Sequence, residues 1–479
     1  MNRNATSFIR NMSYAISSNL ISLTISTLVI LIIPKILGVE DYGYLQLYLF
    51  YCAYVGFFHL GWNDGIYLRY GGAEYSELDK KLFFSQFVML FSTQIIFGIL
   101  MSVLTIIFLS DLERIFIINM VALSMIIVNT RIILLYILQI TNRIREYARI
   151  TMYDRVSFIT LVVIFLFAGI NNYKILVLAD LLGKLFSLLY SMFLCREIVF
   201  NRISSFYFTF NETMKNISVG INLMLANFAN MLIIGIIRFG IERSWDISTF
   251  GKVSLTLSIS NLIMVFINAI GIIMFPVLRR TNVDRLPTIY LTMKNFLIVP
   301  LLGILLLYYP LKTVLSAWLP EYTESLIYMA LLFPMCVYEG KMALLINTYL
   351  KTLRKEKMML IINIASVMLS FILTTLIALV FKHLSLAVVS IVALLAFRCV
   401  LAEILLSRII KVSVYRDISL ELVMTLIFIL TGWFLTSVVG LVCYLIAYSL
   451  YLLIKKKEIL YTLNDLRQLL RKKESKDVF

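Results

Sequence analysis

Charge is scarce in this chain of 479 residues: only 15% are Asp, Glu, Lys or Arg, whereas 61% are hydrophobic and the mean hydropathy is +0.93. A soluble globular protein carries about 25% charged residues, so the composition excludes a water-soluble enzyme of ordinary design. The apolar runs are continuous, and most reach the ~20 residues that a transmembrane helix needs. The sequence therefore predicts an all-α polytopic membrane protein.

Cysteine and histidine are rare as well. The five cysteines lie in or at the ends of apolar runs without CxxC spacing, so we expect buried side chains without a disulfide or metal role. The two histidines, His59 and His383, are too few for a histidine-based metal site. No cleavable signal peptide is evident, because the first apolar run is full length and lacks an A-x-A end.

Motifs of soluble catalysis are missing too. The chain has no phosphate-binding glycine loop, nucleophile elbow or cluster of metal ligands. The enzyme alternative is a membrane polysaccharide polymerase or glycosyltransferase, which usually carries acidic residues in a large outer loop. The first outer loop offers only Glu40 and Asp41 in a short turn. We therefore expect a protein that is not an enzyme.

About fourteen apolar runs are candidate transmembrane helices, and they form two pseudo-symmetric six-helix lobes plus two C-terminal helices. The predicted spans are 13–33, 43–63, 83–109, 114–139, 150–170, 174–195, 217–237, 250–275, 289–309, 324–348, 358–380, 384–408, 418–437 and 440–454. The predicted domains are an N-lobe at 1–200 (spans one to six), a C-lobe at 201–416 (spans seven to twelve), spans thirteen and fourteen at 417–454, and a basic amphipathic cytoplasmic tail at 455–479.

The net charge of +16 follows membrane topology rather than nucleic-acid binding, because the basic residues lie between the apolar runs. With a cytoplasmic N-terminus, 30 of the 43 Lys and Arg residues fall in inner segments or at the inner ends of spans, 8 fall in outer loops or at the outer ends of spans, and the other five lie deeper within spans. Positive charge concentrates on the cytoplasmic side of membrane proteins. Both termini are therefore predicted to be cytoplasmic, and no nucleic-acid partner is expected.

The two lobes look like copies of one repeat. Gly43 follows a tyrosine at the start of span two, and Gly251 follows a phenylalanine at the start of span eight, 208 residues later. Arg131 in span four precedes Lys341 in span ten by 210 residues. Because six spans is an even number, both copies enter the membrane from the same side. Parallel repeats of this kind are common in transporters, with the substrate site between the lobes.

Four cations are candidates for a substrate cavity: Arg131, Lys341, Arg398 and Arg238. An arginine at a helix centre costs roughly 2.5–3.5 kcal/mol to insert, so it normally faces water or a partner. Arg131 has no acid three or four residues away along its helix. The alternative is that these cations pair between helices and only hold the bundle together.

Polar residues near Arg131 and in other spans are candidates for a cavity or gate. Gln139 and Asn142 continue the helical face of Arg131 toward the predicted cytoplasmic side. Helical polar stripes in spans seven and eight contribute Asn222, Asn227, Ser258 and Asn261. Helix packing through small polar groups is the alternative for these stripes.

Three acids are candidates for ion coupling: Asp180, Glu339 and Glu403. Asp180 precedes Lys184 by four residues, a spacing at which the two side chains neutralise each other on one helix face. Glu339 and Lys341 are two apart and lie on different faces. Glu403 follows Arg398 by five residues, about 140° around a helix, so that pair is poorly aligned.

The stretch GWNDGIYLRYGG ends span two and places Asp64 and Arg69 among glycines. It is one of three stretches, with IIPKILGVEDYGYLQLYLF and LYILQITNRIREYARI, whose order along the chain is distinctive. On these stretches and the 14-span layout, nearly the whole chain resembles the bacterial polysaccharide-repeat flippases (Wzx type) of the multidrug/oligosaccharidyl-lipid/polysaccharide exporter (MOP) superfamily. In that resemblance, Asp64 lies near the cytoplasmic mouth.

The resemblance implies transport of an oligosaccharide on undecaprenyl diphosphate from the inner to the outer leaflet of the bacterial plasma membrane, for O-antigen, capsule or teichoic-acid assembly. It implies contact with membrane lipids and a polysaccharide polymerase and chain-length regulator as candidate partners. We expect a monomer without a cofactor, with H⁺ or Na⁺ coupling left open. A multidrug/cation antiporter and a peptidoglycan-precursor flippase remain alternatives, although span one lacks the acid that such antiporters commonly use.

Overall fold

The protein is helical throughout the described part of the chain. A computed structural model describes residues 24–169, 171–279 and 286–474, and these ranges contain no β-strand. The first helices are α1 (Thr24–Ile36), α2 (Val39–Cys52), α3 (Trp62–Arg69), α4 (Lys80–Phe108), α5 (Leu112–Ile140), α6 (Ile144–Phe167), α7 (Tyr173–Leu194), α8 (Arg196–Val199) and α9 (Phe210–Ser244). The side chains of Asp79, Asp111 and Asn172 accept backbone N–H bonds at the starts of α4, α5 and α7.

The remaining helices follow in the order α10 (Ile247–Arg279), α11 (Leu286–Ile304), α12 (Tyr308–Trp318), α13 (Tyr328–Leu332), α14 (Met335–Lys341), α15 (Asn347–Thr352), α16 (Glu356–Thr374), α17 (Leu384–Ile410), α18 (Tyr415–Phe434) and α19 (Ser437–Glu474). Two compact units are present. The first contains residues 1–228 and 247–251, and the second contains residues 229–246 and 252–479. The division therefore falls within α9 and α10, whereas the predicted lobes meet at residue 200.

Eleven helical segments of the described chain are long and apolar enough to cross a membrane. They correspond to predicted spans three to seven and nine to fourteen. Predicted span eight lies on α10, a helix of 33 residues. Predicted span one is described only from Thr24 onward, and its residues 13–23 lie outside the described ones. The predicted all-α membrane fold is confirmed, while the count of fourteen spans stays a prediction.

Predicted span two is not one helix, and this part of the prediction is wrong. After α2 the chain forms a 3₁₀ helix at Val55–His59, and it then passes through Leu60 (φ 53°) and Gly61 (φ 80°) before α3 begins. Two successive residues in the left-handed region cannot continue a right-handed helix. Gly61 adopts this conformation readily because it has no Cβ.

The segment after the break packs closely on α9. A Cβ on Gly65 would lie 1.8 Å from the carbonyl oxygen of Asn216, and one on Gly220 would lie 2.0 Å from that of Gly61. Any side chain at these glycines would therefore separate the two backbones. The glycines of the GWNDGIYLRYGG stretch thus serve both the break and the contact between α3 and the first part of α9.

Predicted span ten is also interrupted. It is divided into α13, α14, a π-helix at Met342–Ile346 and α15, and 89% of its most apolar window is buried. Pro334 lies between α13 and α14, where its missing N–H and fixed φ favour an interruption. The π-helix begins directly after Lys341, the last residue of α14. Such short π segments occur frequently at functional sites.

The end of the chain is one long helix. Predicted spans thirteen and fourteen form the expected tight hairpin, because α18 ends at Phe434 and α19 begins at Ser437. However, α19 does not end near residue 454, and it continues through the residues predicted as a separate tail to Glu474. Lys455, the first residue of that predicted tail, is only 2% exposed. The side chains beyond residue 460 lie outside the described ones.

Candidate functional site

Arg131 joins three helices of the first unit. Its Nη1 lies 2.9 Å from the Asp154 carboxylate on α6 and donates to Ser187 Oγ on α7 at 3.0 Å. The Arg131 and Asp154 side chains are 12% and 17% exposed. The buried Nε of Arg131 has no acceptor among the described residues. This cation is therefore paired, yet it retains a donor without an acceptor.

Asp180 and Lys184 neutralise each other as their spacing predicts. The Lys184 ammonium lies 2.5 Å from Asp180 Oδ2, within α7. The Tyr48 hydroxyl on α2 donates to the same oxygen at 2.7 Å, and Lys184 also donates to Ser124 Oγ on α5 at 3.1 Å. The pair thus connects three helices of the first unit and leaves Asp180 with a cation in contact.

Lys341 is completely buried in the second unit. Its ammonium lies 2.5 Å from Glu403 on α17 and 2.5 Å from Glu421 on α18, and the residue is 0% exposed. One cation therefore holds two carboxylates, and Lys341 faces no cavity in this conformation. Its sequence counterpart Arg131 also pairs between helices, but with a single acid and with more exposure.

Lys294 and Lys455 extend this charge network. Lys294 on α11 is 1% exposed, bonds to Asp417 on α18, and lies 3.9 Å from Glu403. Lys455 on α19 bonds to the same Asp417. Charges of alternating sign therefore link five helices, from α14 through α17, α18 and α11 to α19. Asp417 also lines a cavity of about 680 Å³, together with Arg416 and Lys457.

Arg398 pairs with Glu339 rather than with Glu403. Its Nη1 lies 3.1 Å from Glu339 on α14, and its Nε donates to Asn363 Oδ1 on α16 at 3.1 Å. Glu339 and Lys341 therefore turn to different partners, as their spacing of two residues predicts. Arg238 on α9 donates to Ser254 Oγ on α10 at 3.0 Å within the second unit. All four predicted cations thus contact protein partners.

Asp64 and Arg69 do not pair with each other. Arg69 bonds to Glu212 at 2.8 Å and to Asn216 Oδ1 at 2.5 Å, both on α9. Asp64 is 5% exposed, and its carboxylate lies 3.7 Å from His59 Nε2 and 3.5 Å from the hydroxyl of Tyr136. Asp64 is therefore buried without a lysine or arginine partner in the described chain, whereas Arg69 is paired with Glu212.

In the loop after α3, the half-buried ring of Tyr75 contacts two cations. The Lys80 ammonium lies 3.5 Å from the ring centroid of Tyr75, and the Arg143 guanidinium lies 4.6 Å from it. Burial raises the pKa of Tyr75 to about 12. The phenol therefore stays neutral at physiological pH and presents its ring face to both cations.

The predicted polar residues differ in their surroundings. Asn142 is exposed and has φ 57°, and its N–H donates to the carbonyl of Gln139 at 3.1 Å. It therefore terminates α5 in the left-handed conformation that asparagine tolerates. Gln139 and Ser258 are half-buried, whereas Asn222 and Asn227 on α9 and Asn261 on α10 are exposed. An exposed amide on a membrane helix needs water or another polar group beside it.

The sequence interpretation missed several charged partners. Asp154 lies inside predicted span five, and Glu421 inside predicted span thirteen, but neither was singled out. Lys294, near one end of predicted span nine, was not singled out either, and the structure buries it within α11. Each is a charge inside an apolar run, so matching buried charges of opposite sign between spans could have found them.

The fold is that of the transporters of the MOP superfamily. No protein-family model matches the sequence, and no curated protein sequence matches it. Solved structures match at the level of fold. A lipid II flippase, MurJ, in an inward closed conformation aligns with a TM-score of 0.63 and 13% identity over 94% of this chain and 100% of that chain.

Multidrug exporters share this fold as well. An inward-facing multidrug resistance MATE family transporter of the MOP superfamily aligns with a TM-score of 0.61 and 13% identity, over 84% of this chain and 98% of that chain. A MATE structure in the straight conformation aligns with a TM-score of 0.53 and 13% identity, over 85% of this chain and 96% of that chain. The chain therefore shares the fold of these transporters, and the assignment to Wzx-type flippases stays a prediction.

Proposed function

We propose that the protein is a flippase that moves oligosaccharides linked to undecaprenyl diphosphate from the inner to the outer leaflet of a bacterial plasma membrane by alternating access. The observation that carries this proposal is the fold, which aligns over 94% of the chain with a lipid II flippase. A lipid-linked glycan needs a polar path for its head group while its tail stays in the bilayer. Two-lobe transporters provide such a path between their repeats.

Arg131 is the residue that best suits a diphosphate. A guanidinium presents five donors in a planar fork that matches phosphate oxygens. Arg131 uses Nη1 for Asp154 and Ser187, while its Nε has no acceptor in the described part of the chain. The exposed amides Asn222 and Asn227, on α9 of the same unit, add polar groups for sugar hydroxyls.

A multidrug antiporter is the second candidate, because MATE family transporters share the fold. A gene deletion in the native host separates the two functions. Lipid-linked glycan that accumulates on the inner leaflet, together with loss of surface glycan, supports the flippase. Normal glycan with raised drug sensitivity supports the antiporter. Lipid-linked units that reach the outer leaflet and stay unpolymerised instead support a polymerase.

Variants of the Arg131–Asp154 pair test the binding role. Arg131→Ala alone removes the cation but also leaves Asp154 without its partner, so the double variant R131A/D154A is needed. If Arg131 binds the diphosphate, both variants lose glycan export. If the pair is only structural, the double variant recovers export. Arg155→Ala is the matched control, because Arg155 is exposed and lies next to Asp154 on α6.

A further inference from the structure

Each of the three predicted coupling acids forms an ion pair with a lysine or arginine side chain. Asp180 lies 2.5 Å from Lys184, Glu403 lies 2.5 Å from Lys341, and Glu339 lies 3.1 Å from Arg398. A carboxylate that exchanges a small cation must be able to lose one partner and gain another. These three are held in place by partners that are themselves buried or partly buried, so the coupling group has to be sought elsewhere.

Asp64 differs from these acids in its surroundings. It is 5% exposed, and in the described part of the chain neither lysine nor arginine comes within 4.0 Å of its carboxylate. Burial of a lone carboxylate is costly, so the group favours a proton or another cation. Arg69, five residues later, directs its charge to Glu212 and Asn216 instead.

His59 is the one titratable nitrogen that faces Asp64 in the described chain. Its Nε2 lies 3.7 Å from Asp64 Oδ2, and its Nδ1 accepts the backbone N–H of Gly61 at 3.1 Å. This bond assigns the neutral tautomer that carries its hydrogen on Nε2, toward Asp64. A second proton on His59 would have to take Nδ1, and this would remove the acceptor of Gly61.

Among the described residues, the elements packed around the pair bring no further charged side chain to it. From α5, Tyr136 approaches Asp64 with its hydroxyl at 3.5 Å, and its ring lies 5.0 Å from that of Tyr67. From α4, Gln94 donates to the carbonyl of Phe58 beside His59 at 3.0 Å. From α9, the backbone of Asn216 packs on Gly65. These groups are neutral, so the proton balance of the site is set by His59 and Asp64.

We propose that His59 and Asp64 form a proton-binding site at the break between the 3₁₀ helix and α3. A proton from water adds to a carboxylate oxygen of Asp64 and forms one O–H bond, and its return to water leaves the ionised carboxylate facing the Nε2–H of neutral His59. When Asp64 is protonated, His59 stays neutral and keeps the Gly61 N–H bond. When the site instead holds this proton on His59 Nδ1, Asp64 is ionised, and the bond that Gly61 N–H donates to Nδ1 at the start of α3 is lost.

The site lies at the backbone break before α3. Leu60 and Gly61, the two left-handed residues, lie between His59 and Asp64 in sequence. The segment that follows packs through Gly61 and Gly65 on the first part of α9, and α9 continues into the second unit. A proton-dependent bond at Gly61 therefore acts where the backbone conformation is set. The use of this site in transport rests on the proposed flippase function, whereas proton binding itself does not.

Infrared difference spectroscopy of the purified full-length protein in lipid nanodiscs tests the proton site. A pH titration of the wild type is expected to change the carboxylic acid C=O band of a buried aspartic acid. Asp64→Asn should abolish that band, and His59→Gln should shift its midpoint. Glu77→Gln, an exposed acid of the neighbouring loop, is the matched control. An unchanged titration in Asp64→Asn overturns the proposal.

Proteoliposomes test the coupling separately. With a labelled undecaprenyl-diphosphate oligosaccharide, a pH gradient should accelerate translocation by the wild type, and Asp64→Asn should remove the acceleration while downhill exchange persists. If Asp64→Asn still responds to the gradient, the coupling role is overturned and the flippase function stands. If the wild type moves no glycan, the flippase function fails, and the infrared titration alone decides whether the proton site exists.

Discussion

Gly251 of α10 lies directly against Gly43 of α2. A Cβ on Gly251 would come within 2.7 Å of Gly43 Cα, and one on Gly43 would come within 2.3 Å of the carbonyl oxygen of Ile247. These are the two glycines that the sequence repeat aligns, 208 residues apart. The repeat therefore brings its own equivalent positions together, and close approach of backbones explains why both copies have glycine there.

Substitution of either glycine should destabilise the first unit. Gly251→Leu inserts a side chain where none fits, and overpacking typically costs about 1–3 kcal/mol. We expect a lower thermal midpoint, measured by fluorescence-detected size-exclusion chromatography in detergent. Gly56→Ala serves as the control, because a Cβ on Gly56 meets nothing within 4 Å. Equal midpoints for the two variants would contradict the close contact.

Lys341→Met should be strongly destabilising. It removes the ammonium that lies 2.5 Å from both Glu403 and Glu421, and the loss of one member of a buried ion pair costs about 3–5 kcal/mol. The additional change Glu421→Gln removes one of the two charges and should restore part of the loss. Thermal unfolding in detergent measures both effects. Lys351→Met, at an exposed position of α15, should leave the midpoint unchanged.

Arg398 and Glu339 should show coupling in a double-mutant cycle. Their side chains are 4% and 22% exposed, and contacting partners couple by about 0.5–3 kcal/mol. The cycle compares the thermal stabilities of Arg398→Met, Glu339→Gln and the double variant. Glu324→Gln, an exposed acid, should be additive with Arg398→Met. Additivity in the Glu339 cycle would mean that the pair contributes nothing.

Cys195 should be unreactive in the folded protein. Burial raises the pKa of its thiol to about 12, and a raised pKa reduces the reactive thiolate, to a fraction of about 10⁻⁴ at pH 8. N-ethylmaleimide should therefore modify the exposed Cys443 and spare Cys195, as read by mass spectrometry. After denaturation in SDS both thiols should react. Modification of Cys195 at the rate of Cys443 in the folded state would refute its burial.

Hydropathy and charge distribution were sufficient to predict the helical membrane fold. Long apolar runs dictate helices because every backbone group in a bilayer must be satisfied within the segment. The breaks in spans two and ten escaped this reasoning. An isolated glycine such as Gly61 is tolerated in membrane helices, so its left-handed conformation is set by the packing around it rather than by the local sequence.

The ion pairs were predictable only where partners are close in sequence. Asp180 and Lys184 lie on one helix, and their contact follows from a spacing of four residues. The partners of Arg131 and Lys341 lie on other helices, so tertiary packing selects them. The proposed role of Asp64 depends on the lack of lysine and arginine side chains near its carboxylate in the described structure. The fold, and not the local sequence, determines which side chains lie there.

The uninterrupted helix α19 is longer than a bilayer is thick. Its 38 residues span about 57 Å, whereas the hydrocarbon core of a bilayer is only ~30 Å thick. The part of α19 that exceeds this thickness must project beyond the lipid as a rigid helix. Lys455 joins α19 to α18 through Asp417. A small protein domain fused in helical phase to this projecting part of α19 would keep a fixed orientation and would serve as an alignment marker in electron cryomicroscopy.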